Sequence, residues 1–422
     1  MLKTVIVLVI FVATYLGVVW EKMHRTTTVV VGATLMLAIG IVTPAEAWGE
    51  QDYNTLGLLV GMMIIVGVIK KTGLLQYVAI KVTKISRGSF LVLFMLFSSV
   101  TAVVSAFLDN VTTILLVAPI TILIAESAGK NALPFLISEV ICSNIGGTAT
   151  LIGDPPNMLI GSAAGYSFIA FLINLSPIVI LILLLSVAAL AAIYRTHLKS
   201  VPGIKMLESV DERRAIQDPK LLRSSMIIFG LILAGFILHG AMNILPSVVA
   251  LAGAILLLAV TRINPDEALA EVEWSTLFFF VGLFVVVGAL DKVGVISAAA
   301  RGIVSSVQNP SLLRILILWI SGIASAFLGA VPVAAAFIPL IETLGKDLGL
   351  SAGGLAPIWW SLALGASLGG IGTVLGTAAT MVAVGISART RYKISYRAYL
   401  RVGSTIMVLS LAVSTIYLLL RY

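Results

Sequence analysis

The sequence predicts an all-α polytopic membrane protein made of two inverted repeats, with about 10 spans, two re-entrant hairpins and two broken helices. Three observations predict it. Of 422 residues, 59% are hydrophobic and only 11% are charged, with a mean hydropathy of +1.12; soluble domains carry roughly 25% charged residues. Apolar runs near the length of a membrane helix recur along the chain. Finally, blocks of the first half return in the second at nearly constant offset. Pro44, Glu46 and Ala47 match Pro265, Glu267 and Ala268, and Gly67, Lys71 and Gly73 match Gly288, Lys292 and Gly294, all at 221. Ser105-Ala-Phe-Leu108 recurs as Ser325-Ala-Phe-Leu328 at 220, and Gly146-Gly147, Thr150, Gly153 and Met158 return as Gly369-Gly370, Thr373, Gly376 and Met381 at 223.

The first repeat covers 1–193. Lys3 is followed by an apolar run to Trp20 with no A-x-A cleavage site, which reads as an uncleaved first span over 3–20. Spans follow at 26–42 and 56–70. The apolar region 89–125 is interrupted near its middle by Asp109-Asn110-Val-Thr112-Thr113, which predicts a re-entrant hairpin. The run 133–165 contains Ser143-Asn-Ile-Gly-Gly-Thr-Ala-Thr-Leu-Ile-Gly-Asp-Pro-Pro-Asn157. Pro removes backbone donors and Gly weakens helix, so this helix should break. In hydrocarbon such a break is tolerated only around a protein-lined or watery cavity. A span at 167–193 completes the repeat.

A charged segment with Pro202 and Pro219, 194–223, is the linker. The second repeat, 224–422, has spans at 224–241, 245–261 and 275–290. A hairpin at 311–345 is interrupted at Gly329-Ala-Val-Pro332. A broken helix at 355–386 and a last span at 402–421 follow. Five crossings per half, an odd number, invert the second half. With the linker cytoplasmic, 21 of the 27 lysines and arginines fall in inside loops, as the positive-inside rule requires. The expectation is a multi-pass protein of the plasma (inner) membrane with both termini outside. The net charge of +8 then reflects topology, with the lipid bilayer as partner and no nucleic acid. The single cysteine, Cys142, excludes an internal disulfide, and His24, His197 and His239 are scattered. No metal site or cofactor is expected.

A carboxylate at membrane depth is expensive and is a functional hypothesis by default. Asp109 and Asn110 sit at the first hairpin tip, before Thr112 and Thr113; the competing reading of Asp109 is a helix N-cap. Asp154, between Gly153 and Pro155-Pro156, has the sequence of a cap with Pro at the first helical position, and it is also a site candidate. Ser143, Asn144, Gly146, Gly147, Thr148 and Asn157 supply amides, hydroxyls and free backbone around the break. Glu139, five residues before Asn144, is either a surface residue near the helix start or, with Asp109 and Asp154, a proton-coupling candidate. Cys142 reads as a small packing residue. The second half holds Gly329-Ala330 and Thr380 where the first has Asp109-Asn110 and Asn157. It should therefore contribute backbone groups with Ser325, Ser367, Gly369, Gly370, Thr373, Thr377 and Thr380.

At Asp109-Asn-Val-Thr-Thr-Ile-Leu-Leu-Val-Ala-Pro119 and Ser143 to Asn157 the chain resembles the ion transporter superfamily. The similarity is to the branch of ArsB-type arsenite permeases, the melanosomal P protein and CitMHS-type permeases, and more distantly to NhaD antiporters and SLC13 dicarboxylate carriers. The resemblance implies a homodimer, elevator-type alternating access, and ion or substrate binding at the hairpin tips and unwound segments. It favours arsenite or antimonite efflux driven by protons or sodium; an arsenite pump would add a soluble ATPase partner. A sodium/proton antiporter and a di- or tricarboxylate carrier are the alternatives. The chain lacks the second Asp-Asn pair of its relatives, which puts a second cation site in doubt. An enzyme is not expected: Leu151-Ile-Gly-Asp154 lacks the first glycine of an intramembrane aspartyl protease motif.

Overall fold

The computed structural model describes residues 2–20, 23–127, 129–198, 212–307 and 309–422. The first half contains α1 (Leu2–Trp20), α2 (Arg25–Ala38), α3 (Pro44–Gly49), α4 (Tyr53–Lys70), α5 (Leu74–Ile85), α6 (Phe90–Ser105), α7 (Asn110–Ser127), α8 (Leu133–Gly147), α9 (Pro155–Ala164), α10 (Phe168–Asn174) and α11 (Ser176–Ile193). The second contains α12 (Pro219–Met242), α13 (Pro246–Thr261), α14 (Pro265–Leu269), α15 (Trp274–Lys292), α16 (Val295–Ser306), α17 (Pro310–Leu328), α18 (Ala330–Asp347), α19 (Ala352–Gly369), α20 (Ala378–Ala388) and α21 (Tyr396–Arg421). Among the described residues there is no strand.

Two ion pairs demonstrate the inversion. Glu46, before the start of α4, meets Lys292 at the end of α15 at 2.6 Å. Their repeat mates exchange roles: Glu267, before α15, meets Lys71, just after α4, at 2.9 Å. Equivalent helices α4 and α15 therefore run antiparallel, and the two pairs mark opposite faces of the molecule. The packing is interlocked in the same way, with α2 on α15 and α13 on α4, and with α6 on α8 mirrored by α17 on α19. Each half thus completes the other half's core. The linker face carries the ends near residues 25, 71, 130, 218, 267 and 391, where Tyr392 Oη donates to the Lys130 carbonyl at 2.8 Å. The far face carries 46–54, 162–174, 239–247 and the C-terminus, where Tyr417 Oη donates to the Asn174 carbonyl.

Eight described helices are long and apolar enough to cross a membrane, or nine if α9 and α10, bent by 111°, count as one span. Leu184, Leu231 and Ile255 are each more than half exposed; such apolar surface suits lipid rather than water. By length alone the hairpin arms α7 and α17 pass this test, while α2 and α13, at 14 and 16 residues, fall short of the ~20 residues of a full crossing.

Several boundaries differ from expectation. The linker ends earlier than 223: α12 begins at Pro219, with the Asp218 carboxylate accepting from the N–H groups of Lys220 and Leu221. Residues 199–211 of the linker lie outside the described residues. The span 26–42 stops at Ala38 as a helix. The span 167–193 is two helices, parted at Leu175 ahead of Pro177, which has no N–H to continue the ladder. The second hairpin turns on Gly329 alone, and Pro332 lies inside α18. Short α3 and α14 and the arms α5 and α16 are additional, and each occupies the same place in its repeat.

Candidate functional site

Both hairpin tips and both helix breaks converge. α7 starts at Asn110, α9 at Pro155, α18 at Ala330 and α20 at Ala378, and all four first residues line one cavity of about 340 Å³. That volume suits a small molecule. The opposite wall comes from α1, α4 and α15, including Met63 and Phe280. Arg25, Thr26, Glu273 and Thr276 extend the wall toward the linker face, and among the described residues none from the far-face loops takes part.

Asn110 is the hub of the first half. Its Nδ2 donates to Asp154 Oδ1 at 3.2 Å and to Asn144 Oδ1 at 3.3 Å. Its Oδ1 accepts from Ser105 Oγ at 2.5 Å, and Ser105 Oγ lies 2.9 Å from Ser143 Oγ. Hairpin tip, helix α8 and helix α9 are thereby tied by side chains. The second half makes the equivalent join through backbone: Ala330 N–H donates to the Gly376 carbonyl at 3.2 Å. Gly329 takes φ +93° there, a region in which a side chain is strained. One deeper strut is common to both halves, the Thr150 hydroxyl donating to the Ala106 carbonyl and Thr373 to Ala326.

The two aspartates divide the roles differently from the simplest sequence reading. Asp109 Oδ1 accepts from the Thr112 N–H at 2.8 Å and so caps α7. Asp154 makes no side-chain cap to α9; its Oδ1 faces Asn110, and its buried Oδ2 makes no hydrogen bond of good geometry, with the Ser367 hydroxyl of α19 as its polar neighbour. Of the other sequence candidates, Thr377 lines the cavity and caps α20, accepting from Thr380 N–H at 3.3 Å. Thr112 and Thr113 lie on α7 behind the tip, and Thr113 Oγ1 is buried without a partner. Asn144 and Thr148 bond back to carbonyls of α8. Asn157 Nδ2 donates to the carbonyls of Thr150 and Thr148 at 2.9 and 3.1 Å, closing the break itself. Ser325 donates to the Ala366 carbonyl at 2.6 Å, and Thr380 lies 3.3 Å from Tyr399 Oη. These groups stand behind the wall.

The glycines at the breaks are there for close approach. A Cβ on Gly146 would run into the Ala102 backbone of α6, one on Gly147 into Asn110 and Gly153, and one on Gly153 would lie 2.8 Å from the Ser105 carbonyl oxygen. Gly369 is held against Gly322, and Gly370 against Thr377 and Gly376, in the same way. Glu139 is fully buried and is no surface residue; Thr121 Oγ1 donates to its Oε1 at 2.6 Å, and Oε2 has no partner. It does not line the cavity. Cys142 is buried beside Ser138. Among the described residues no group of three or more His, Cys, Asp or Glu could hold a metal.

Sequence reasoning missed His24, Arg25, Glu273 and Thr276 as cavity residues. Only Glu273 and Thr276 carried a signal, the repeat, standing 221 after Asp52 and Thr55; His24 and Arg25 have no such counterpart.

Two inverted halves whose broken helices close on a shared cavity define a membrane transporter. Comparison with known proteins agrees. Residues 15–365 match the family described as CitMHS, citrate transporter. The chain is 38% identical over 424 residues to an uncharacterized transporter of Mycobacterium tuberculosis, covering 99% of both. It is 30% identical over 509 residues to the P protein of Sus scrofa, covering all of this chain and 60% of the relative. In fold it is similar to the YdaH transporter of Alcanivorax borkumensis, with a TM-score of 0.60 at 15% identity over 96% of this chain and 97% of that one. The chain belongs to the CitMHS family.

Proposed function

We propose that this protein is a secondary active carrier of a small anion or oxyacid, coupled to sodium or protons and working by elevator-type alternating access. The observation that carries the proposal is the meeting of four helix N-termini on one cavity. Each N-terminus carries roughly half a positive charge, and such ends bind anions. The starts of α9 and α18 have no side-chain cap. α9 opens on two prolines without N–H groups and its Asn157 N–H goes to the Asp154 carbonyl, so that end offers only its dipole; at α18 the Val331 N–H remains for a ligand, since Ala330 donates to Gly376 and Pro332 has none. Alternating access is supported by the composition of the wall: hairpins and broken helices on one side, α1, α4 and α15 on the other.

Asp154 is the carboxylate best placed for coupling, because it stands beside the anion site with one oxygen unengaged. Glu139 is the second candidate, buried between α8 and α7, where Thr121 donates to it. Within the substrate class, arsenite and antimonite efflux is the reading favoured by the resemblance. A di- or tricarboxylate is favoured by the family description and by Arg25 and His24 in the wall. Four converging N-termini weigh against a pure sodium/proton antiporter. The charge split supports a cytoplasmic linker, external termini and a plasma-membrane location; Lys220→Cys, in the exposed first turn of α12 next to the linker, should resist an impermeant thiol reagent applied to intact cells. A homodimer, and an ATPase partner in the arsenite case, rest on resemblance alone.

The test is uptake into proteoliposomes of labelled citrate, succinate, arsenite and antimonite under an imposed sodium or pH gradient. The proposal requires at least one to be driven by a gradient. Uptake that ignores both gradients would contradict coupling, and single-channel currents would make the protein a channel.

A further inference from the structure

Helix α9 meets the scaffold on the far face. Ser162 Oγ donates to Asp52 Oδ1 at 2.9 Å and accepts from Asn54 Nδ2 at 3.1 Å. Asn54 Oδ1 in turn accepts the Ser247 N–H of α13 at 3.1 Å. Thr55 Oγ1 reaches the Asp52 carboxylate and the Met158 carbonyl of α9, the latter at 3.3 Å. The start of α4 is thus fastened to the broken helix by side chains from both.

The repeat provides an internal control. Asp52, Asn54 and Thr55 correspond to Glu273, Ser275 and Thr276 at offset 221, and Ser162 on α9 corresponds to Gly385 on α20 at 223. Thr276 keeps its bond to Glu273 at 2.9 Å, as Thr55 keeps its bond to Asp52. Yet Glu273, Ser275 and Thr276 line the cavity. Gly385 lies one turn beyond the cavity residues Met381 and Val382, has no hydroxyl, and has open space around its Cβ position. The same scaffold corner is closed on the broken helix at the far face and parted from it at the linker face.

We propose that Asp52, Asn54 and Ser162 form the far-face gate of the carrier, and that Gly385, standing where a second Ser162 would, leaves the linker-face gate without its latch. The resting protein is therefore biased toward the state open to the linker. The two hydrogen bonds of Ser162, beside the Thr55 bond to the Met158 carbonyl, hold one closed gate, and the other has no serine to make their counterparts. In the two-state equilibrium of an alternating-access carrier, interactions made in one state alone set the populations. This inference rests on the carrier reading above.

The experiment follows a cysteine at Val331, a cavity residue, in vesicles of both orientations, with Lys220→Cys identifying the linker face. The native Cys142 is buried. The rate of modification by an impermeant thiol reagent from the far face reports the far-face-open population. Ser162→Ala removes both bonds of the latch and should raise that rate by about fivefold to thirtyfold, the effect of one to two net hydrogen bonds. Gly385→Ser supplies the missing latch and should raise it as well; the serine replaces a helical glycine with open space around it, so folding is not at risk. The double variant should exceed both. Far-face modification that is measurable in the parent and equal in all variants overturns the latch alone. Its complete absence from every protein overturns alternating access with it.

Discussion

Asn110 Nδ2 and Asp154 Oδ1 stand 3.2 Å apart, one at a hairpin tip and the other at a helix break 44 residues on. Both line the cavity. The contact joins the two elements that the ligand must touch, and it leaves Asp154 Oδ2 buried and unpartnered. A carboxylate there is costly unless a cation, a proton or a ligand shares the site. Asp154→Asn keeps the size of the side chain and removes the charge. Gradient-driven uptake should fall by at least about tenfold while the thermal midpoint stays level or rises, since an unpaired buried charge is lost. Wild-type coupling in this variant would remove Asp154 from the ion pathway.

Asp109 should behave in the opposite sense. Its bond to the Thr112 N–H is a cap, so Asp109→Ala should destabilise by about 1 kcal/mol while Asp109→Asn, a good cap, should not. If Asp109→Asn keeps its midpoint but abolishes driven uptake, the carboxylate couples as well as caps. Unfolding curves and uptake measured on the same preparations separate the two.

Gly146→Ala tests what the glycines of the break do. Freedom to unwind predicts a folded protein without ligand binding. The geometry predicts more, because the new methyl would strike the Ala102 backbone. Overpacking of this kind costs about 1–3 kcal/mol, so the variant should have a lowered midpoint, and α6 and α8 should part. An unchanged midpoint would mean the two helices separate freely.

The Glu46–Lys292 pair has a pH signature. The Lys292 ammonium, with the N–H and hydroxyl of Thr43, holds the exposed Glu46 carboxyl at about 2, below its ordinary 4.5. A lowered folded-state pKa stabilises above the ordinary value and ceases to do so as pH falls through the lowered one. Glu46→Gln should therefore lower the thermal midpoint slightly at neutral pH, as befits an exposed pair. The gap from wild type should close between pH 4.5 and 2. A gap constant across that window would mean the pair contributes nothing.

Much of this architecture was legible because its signals are local. Asp109-Asn110 and Gly329 interrupt apolar runs and mark the hairpin tips, and Pro155-Pro156 marks the first break. The constant offset of Glu46 and Lys71 from Glu267 and Lys292 carried the duplication, and loop charge carried its inversion. Legibility failed where tertiary contact decides. Asp109 and Asp154 both look like caps, and only the position of Asn110 makes the second something else. Arg25 and Glu273 reach the cavity from the starts of α2 and α15, far apart in sequence, and nothing in either position's hydrophobic pattern marks it. Asn157 looked like a ligand because amides bind many things, and here the nearest carbonyls of its own broken helix take it.

The central claim is that small anions bind where the two tips and two breaks meet, and a thermal-shift series tests it most directly. Purified wild type and Ala378→Trp, which fills the cavity at the start of α20, would be titrated with citrate, succinate, arsenite, antimonite, sodium and lithium. Binding to the folded state stabilises it by RT ln(1 + L/Kd), with L the free ligand concentration, about 2.7 kcal/mol at a hundredfold excess over Kd, and so raises the midpoint. The account predicts that at least one of the anions or oxyacids raises the wild-type midpoint and leaves Ala378→Trp unmoved. An equal rise in both proteins would place the ligand elsewhere and contradict it.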